Sequence, residues 1–250
     1  MLTMITGASS GIGEATARIL GAEKHDLFLI ARRLNRLTVL AEELRKQYGV
    51  RVEIACVDIR SYPSLVKVFD THADYLKDLT LLVNNAGLAM GTDKIQDAAV
   101  ADWDLMIDTN LKGLLYTTRL ALPFMLKQGR GHLIHLGSVA GRWAYPGGNV
   151  YGATKSAVSL LTEGMRLDLS GKNIRVTEIK PGMAETEFSE VRFKDKAKAK
   201  AVYQGMSPLS ARDVAEAILW ASSRPEHVNI QEIVLYPTDQ ASTTQVFRRS

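Results

Sequence analysis

The sequence predicts an α/β fold: a doubly wound parallel sheet of about seven strands with helices on both faces. Three observations carry this. Short apolar runs alternate with longer stretches of helical periodicity. Most runs place Val, Ile and Leu at successive positions, as strands covered on both sides do. A glycine-rich segment joins the first run to the first helical stretch, and in such folds that junction lies at the ligand-binding edge of the sheet.

In chain order, Leu2–Thr6 is the first strand and 12–22 the first helix. Leu27–Ala31 leads into a helix over 36–48, with Gly49 as its stop signal. Val52–Val57 is followed by a helix over 62–76, and Leu81–Asn84 by a long one over 100–127. His132–Leu136 precedes a helix over 150–170, closed by Gly171. After the sixth strand, Ile174–Ile179, the pattern changes. Residues 182–209 combine Gly, Met, Pro and several charges with weak periodicity. This insert follows the C-terminal end of a strand, the side where ligands bind, so it reads as a substrate lid. A helix over 211–222 and a strand at Ile233–Leu235 complete the pattern. No linker divides the chain, and 1–250 reads as a single domain.

Composition excludes several classes. Hydrophobic residues make up 46% and charged residues 23%, values of an ordinary globular chain. The net charge of +4 is small, and much of the excess sits at 194–200 and at Arg248-Arg249. No basic stripe interleaved with aromatics suggests a nucleic-acid partner. A mild positive balance suits small anionic ligands. The single cysteine, Cys56, lies in an apolar run and is expected to be a buried strand residue. It cannot form an internal disulfide. Met1 leads directly into the first strand, without the pattern of a secretory signal, and no apolar run reaches the roughly 18 residues of a membrane span. A cytoplasmic protein without a membrane partner or a metal site is expected.

Thr6-Gly7-Ala8-Ser9-Ser10-Gly11-Ile12-Gly13 follows the first strand and opens the first helix. Its glycines permit a tight turn and a close approach of backbone N–H groups to a pyrophosphate, and the helix N-terminus adds partial positive charge. At the end of the second strand, binders of NAD place an acidic residue against the ribose 2′-hydroxyl. Here the residues are Ala31-Arg32-Arg33, and two guanidinium groups can pair with a 2′-phosphate, which favours NADP(H). Asp58, with Ile59 beside it, ends the third strand within reach of an adenine. Asn84-Asn85-Ala86-Gly87 ends the fourth and lets the backbone approach the cofactor ribose.

Tyr151-Gly152-Ala153-Thr154-Lys155 opens a helix, and residues four apart share a face. A free tyrosine titrates near 10, too high for efficient proton exchange at neutral pH. A lysine cation at about 4 Å lowers that value, by roughly 4 kcal/mol at an effective dielectric of about 20 as an upper bound. Ser138 closes the fifth strand, where a hydroxyl can bond a reacting carbonyl oxygen. Asn110 lies inside the long 100–127 pattern, where a poor helix former suggests a polar role.

Together these residues resemble the short-chain dehydrogenase/reductase family over essentially the whole chain. The resemblance implies a Rossmann-type dinucleotide-binding and catalytic domain. It implies that Tyr151 delivers the proton and Ser138 holds the substrate oxygen. Lys155 would bind the nicotinamide ribose and lower the Tyr151 pKa, and Asn110 would support a water connecting Lys155 to solvent. Pro181, Gly182 and Thr186 would flank the nicotinamide. The segments 147–155 and 186–193 are similar to NADP-dependent 3-hydroxy acid dehydrogenases and sulfoacetaldehyde reductases, which implies a small acid-bearing alcohol or aldehyde. That group is built as homotetramers through two long helices, here 100–127 and 150–170. Arg192 in the lid, with Arg248 and Arg249 at the end of the chain, would surround the acidic group, the tail reaching a neighbouring subunit. The competing readings are a broad carbonyl reductase for neutral ketones and a non-catalytic NADP(H)-binding sensor.

Overall fold

The computed structural model describes residues 1–249. Its elements in order are β1 (Leu2–Thr6), α1 (Gly11–Ala22), β2 (Asp26–Ala31), α2 (Leu34–Tyr48), β3 (Val52–Cys56), α3 (Tyr62–Thr71), α4 (Ala73–Leu76) and β4 (Leu79–Asn84). Then come α5 (Val100–Ile107), a π-helical turn (Asp108–Gly113), α6 (Leu114–Gln128), β5 (Gly131–Leu136), α7 (Asn149–Asp168) and β6 (Ile174–Pro181). The chain continues with β7 (Ala184–Glu185), α8 (Glu187–Phe193), α9 (Lys196–Ala201), β8 (Leu209–Ser210), α10 (Ala211–Ser222) and β9 (Glu232–Leu235).

Seven strands form one parallel sheet in the order β3-β2-β1-β4-β5-β6-β9. Each strand sends alternate side chains to opposite faces, and both faces are covered. Ile5, Leu29, Val83 and Ile134 meet α1, α2 and α10 through Leu20, Leu40, Val214 and Ile218. Met4, Phe28, Leu82 and Leu133 meet α3 and α6 through Leu65, Phe69, Ala121 and Met125. Strand order reverses between β1 and β4, which opens a crevice at the C-terminal ends of these strands.

The structure departs from the sequence expectations at three places. The helix over 62–76 breaks at His72 into α3 and α4. The helix over 100–127 is interrupted by the π-helical turn that contains Asn110. Cys56 is exposed, because β3 is an edge strand and this residue lies at its end; its thiol donates to the Arg32 carbonyl at 3.4 Å. The insert holds two short helices, α8 and α9. Its ends are pinned by β7 and β8, a separate two-strand ladder pairing Ala184 with Leu209 and Glu185 with Ser210. Among the described residues no helix is long and apolar enough to cross a membrane, and no cluster could hold a metal ion.

Candidate active site

One cavity of about 520 Å³ runs along the strand ends from the loop after β1 to the insert. Its phosphate end is shaped by backbone. Gly7 adopts φ +68°, and a Cβ there would lie 2.9 Å from the Ala86 Cα, so the β1 and β4 loops touch only because the residue is glycine. A Cβ at Gly13 would meet the Gly7 carbonyl oxygen, which fixes the start of α1 against the loop. Thr6 Oγ1 accepts from the backbone N–H groups of Asn85 (3.1 Å) and Ala86 (3.0 Å), and Asn85 Nδ2 donates back to the Thr6 carbonyl (2.9 Å). Thr6 and Gly13 therefore brace the loop from behind. Gly7, Ser9, Ser10, Gly11 and Ile12 line the cavity, as do Asn85, Ala86 and Gly87.

No side chain caps α1, so its first N–H groups face the cavity unspent, as an anion site requires. Arg32 and Arg33 line the same end. The Arg33 guanidinium is held by the hydroxyls of Ser9 (3.1 Å) and Ser10 (2.6 Å), and it pairs with Glu187 of α8 (2.8 Å). Arg36, one turn further along α2, pairs with the same carboxylate at 2.5 Å. Arg32 is more exposed and lies 3.9 Å from Asp58. The Asp58 carboxyl is taken up by Arg60, whose hydrogen bonds hold it below the usual range. Asp58 and Ile59 form the wall of the cavity beyond Arg32.

The reaction end is formed by buried side chains. The first turns of α7 place Tyr151 and Lys155 in the cavity wall, 9% and 6% exposed, and Ser138 closes β5 opposite them at 8%. Lys155 Nζ donates to the Leu136 carbonyl at 2.6 Å and lies 5.9 Å from the Tyr151 ring centre. Ser138 Oγ accepts from Ala140 N at 3.1 Å, which orients the hydroxyl. Burial pushes the Tyr151 phenol up to about 12, while its hydrogen bond with Ser138 and the charge of Arg192 pull the other way. Burial also pulls Lys155 down to about 8, opposed by Glu178. The sequence reading expects Lys155 to depress the phenol. In this cavity the desolvation of the resting Tyr151 phenol outweighs every neighbouring charge, and the lysine ammonium donates one hydrogen bond to a carbonyl.

Asn110 does not line the cavity. The π-helical turn aims its side chain at the β4 loop, where Oδ1 accepts from Leu88 N (2.9 Å) and Nδ2 donates to the Leu88 carbonyl (2.9 Å) and to Thr154 Oγ1 (3.0 Å). It thus locks the Gly87-Leu88 backbone to α7, one residue before Lys155. A Cβ on Gly87 would lie 3.2 Å from Asn110 Oδ1 and 3.4 Å from Lys155 Nζ, so the glycine leaves open the space beside the lysine that a ribose needs. Pro181, Gly182 and Thr186 line the cavity between its two ends.

The insert covers the reaction end with Phe188, Val191 and Arg192. Phe188 lies 5.7 Å from Tyr151, ring centre to ring centre. Arg192 is half-buried; Nε donates to the Gly91 carbonyl at 3.0 Å and Nη1 to Tyr145 Oη at 3.0 Å. It forms no ion pair among the described residues, so part of a fixed guanidinium fork faces the cavity with its charge uncompensated. Arg248 and Arg249 are not brought to the cavity. Arg248 donates to the carbonyls of Val202 and Gln204, and Arg249 pairs with Asp239 at 2.7 Å. Both are spent on fastening the tail within the same chain, where Gly205 (φ +75°) lets the tail backbone approach and its carbonyl accepts from Arg249 N at 2.7 Å. Sequence reasoning missed Arg36, Tyr145 and Glu187. Arg36 has a legible signal, since it repeats Arg32 at helical spacing; the other two have none.

The description short chain dehydrogenase matches residues 2–197. A sulfoacetaldehyde reductase of Chromohalobacter salexigens is 46% identical over 242 residues, covering 96% of this chain and 95% of that protein. The NADP-dependent 3-hydroxy acid dehydrogenase of Escherichia coli (strain K12) is 42% identical over 243 residues, with 96% of each chain covered. Among solved structures, the closed form of a serine dehydrogenase complexed with NADP+ superimposes with a TM-score of 0.92 at 41% identity, covering 100% of both chains.

Proposed function

The chain belongs to the short-chain dehydrogenase family, and on that premise we propose that it is an NADP(H)-dependent oxidoreductase acting on a small acid-bearing alcohol or aldehyde. The dinucleotide fits the residues present: an uncapped helix N-terminus for the pyrophosphate, Arg32 and Arg33 for a 2′-phosphate, and the space at Gly87 for the ribose beside Lys155. Bound there, the cofactor supplies or receives the hydride.

The chain's own residues handle the proton. Ser138 and Tyr151 converge on one carbonyl oxygen, Ser138 orienting it and Tyr151 donating from Oη as charge develops there. A phenol kept protonated by burial is in the correct form for reduction at neutral pH. Lys155 sits beneath the ring and stabilises the phenolate left behind. Asn110 holds the Gly87 backbone and α7 in register so that these groups meet. The lid residues Phe188 and Val191 exclude water from the same space.

The observation that carries the substrate class is the uncompensated Arg192 guanidinium facing the cavity beside Tyr151. A planar fork already oriented by Gly91 and Tyr145 suits a carboxylate or sulfonate. The 3-hydroxy acid and sulfoacetaldehyde activities named for the relatives point to the same chemistry. A panel of serine, 3-hydroxypropionate, malonic semialdehyde, sulfoacetaldehyde and a neutral ketone, compared by kcat/KM with NADP(H), tests the proposal. Turnover confined to the acid-bearing compounds supports it; turnover favouring the neutral ketone replaces it with a broad carbonyl reductase. The protein is further proposed to assemble with copies of itself. Leu160 and Leu167 on α7 are 71% and 72% exposed, and Leu115 and Leu126 on α6 add apolar area, as faces awaiting a second copy do. A homotetramer is expected by light scattering.

A further inference from the structure

Beneath the reaction end lies a buried carboxylate that the chemistry above does not use. Glu178, in the middle of β6, is 3% exposed and is the one carboxylate of that strand. Its Oε1 accepts from Ser159 Oγ at 2.9 Å, and Ser159, one turn after Lys155, also donates to the Lys155 carbonyl at 3.3 Å. Its Oε2 pairs with Lys180 Nζ at 3.2 Å. A Cβ placed on Gly137 would lie 2.0 Å from Glu178 Oε1, so the carboxylate presses against the backbone between Leu136, which holds Lys155 Nζ, and Ser138. A buried carboxylate is costly unless it is paired and hydrogen-bonded, as Glu178 is by Lys180 and Ser159.

Resting on the reading that Tyr151 and Lys155 handle the substrate's proton, we propose that Glu178 is a positioning residue whose negative charge keeps Lys155 in its cationic form. The two groups act on each other: burial pulls Lys155 down to about 8, and Glu178 is the charge that opposes it. The other groups facing Glu178 do not replace it. Lys180 on β6 is paired with both Glu178 and Glu232 of β9, and Arg142 and Arg166 act on Glu232. His135 of β5, opposite Glu178 in register, is neutral, pushed down to about 3 by burial. Without Glu178, Lys155 faces this layer with no anion beside it.

The test is the titration of Lys155 in the cofactor-free protein, followed by NMR with 13Cε-labelled lysine and assigned through the signal missing in Lys155→Met. In Glu178→Gln the Lys155 midpoint moves down by about half to one pH unit, and the alkaline limb of kcat/KM for reduction moves with it. Glu178→Asp keeps the charge and restores both. The paired variant Glu178→Gln/Lys180→Met does not leave Lys180 beside a neutral amide and keeps the downward shift should the single variant fail to fold. An unchanged Lys155 midpoint in folded Glu178→Gln or in the paired variant overturns the proposal, whatever the activity. Absence of NADPH-dependent turnover in the wild type overturns the catalytic reading and leaves the titration to decide the role of Glu178.

Discussion

The two ends of the cavity are built on opposite principles. The phosphate end uses backbone N–H groups and arginines that are 40–62% exposed, each tied into ion pairs with Asp58 or Glu187. The reaction end uses Ser138, Tyr151 and Lys155, all buried and each present once, supported from below by Glu178, Thr162 and His135. Exposed charges are screened and partly interchangeable, whereas a buried group has no substitute. On the proposed reading, recognition of the cofactor is therefore spread over several weak contacts, and the chemistry is concentrated in a few residues that should tolerate no loss.

The largest effect is expected at the reaction end. Tyr151→Phe removes the transferable proton and keeps the ring, so kcat falls by at least about 100-fold while NADPH affinity, read by fluorescence titration, stays nearly unchanged. Near-normal turnover would remove the distinction between the two ends. At the phosphate end, Arg32→Ala/Arg33→Ala weakens NADPH on the order of 10- to 100-fold, with much less loss for NADH, since only the former carries the charge they read. Equal losses would mean that the arginines shape the loop and read no phosphate.

Two buried histidines of β5, one on each face of the sheet, also set a pH response. His135 is pushed down to about 3 by burial, with Arg166 adding to it, and His132 well below its ordinary value. Once unfolded, both imidazoles take up protons near pH 6.5 that the native state refuses. Stability is therefore complete above that pH and declines as pH falls below it, by about 1.4 kcal/mol per unit per histidine at most. Glu178, pushed up by burial, works in the opposite direction and softens the slope. Urea unfolding at pH 7.0 and 5.5 should differ by about 1–3 kcal/mol; equal midpoints would show that these histidines titrate normally. The smallest effect belongs to the tail. Arg249→Ala, which faces Asp239 and Ser207 and not the cavity, should change KM less than about threefold, and equally for charged and neutral substrates.

The same contrast explains what the sequence discloses. The loop at 6–13, Asn85-Ala86-Gly87 and the Tyr151/Lys155 pair are local patterns whose chemistry follows from spacing within one element. Contacts across the fold are not local. Arg192 owes its orientation to Gly91 and Tyr145, which are 101 and 47 residues away, and Arg33 meets Glu187 across 154. The π-helical turn is hidden because its i→i+5 bonding over six residues calls for no residue type that would mark it in the sequence. Cys56 was expected to be buried because nothing in β3 itself marks it as the edge. Glu178 did leave a trace, the one carboxylate in a buried inner strand, but its meaning depends on Ser159 and Lys155 above it.

The central claim, that this site reads an anionic group while reducing a carbonyl, rests on Arg192. Arg192→Ala should be compared with wild type on malonic semialdehyde or sulfoacetaldehyde and on a neutral aldehyde of similar size, with NADPH in excess. The account predicts that kcat/KM for the charged aldehyde falls by at least about tenfold through KM, with the neutral one nearly unchanged. An equal change for both aldehydes would contradict it.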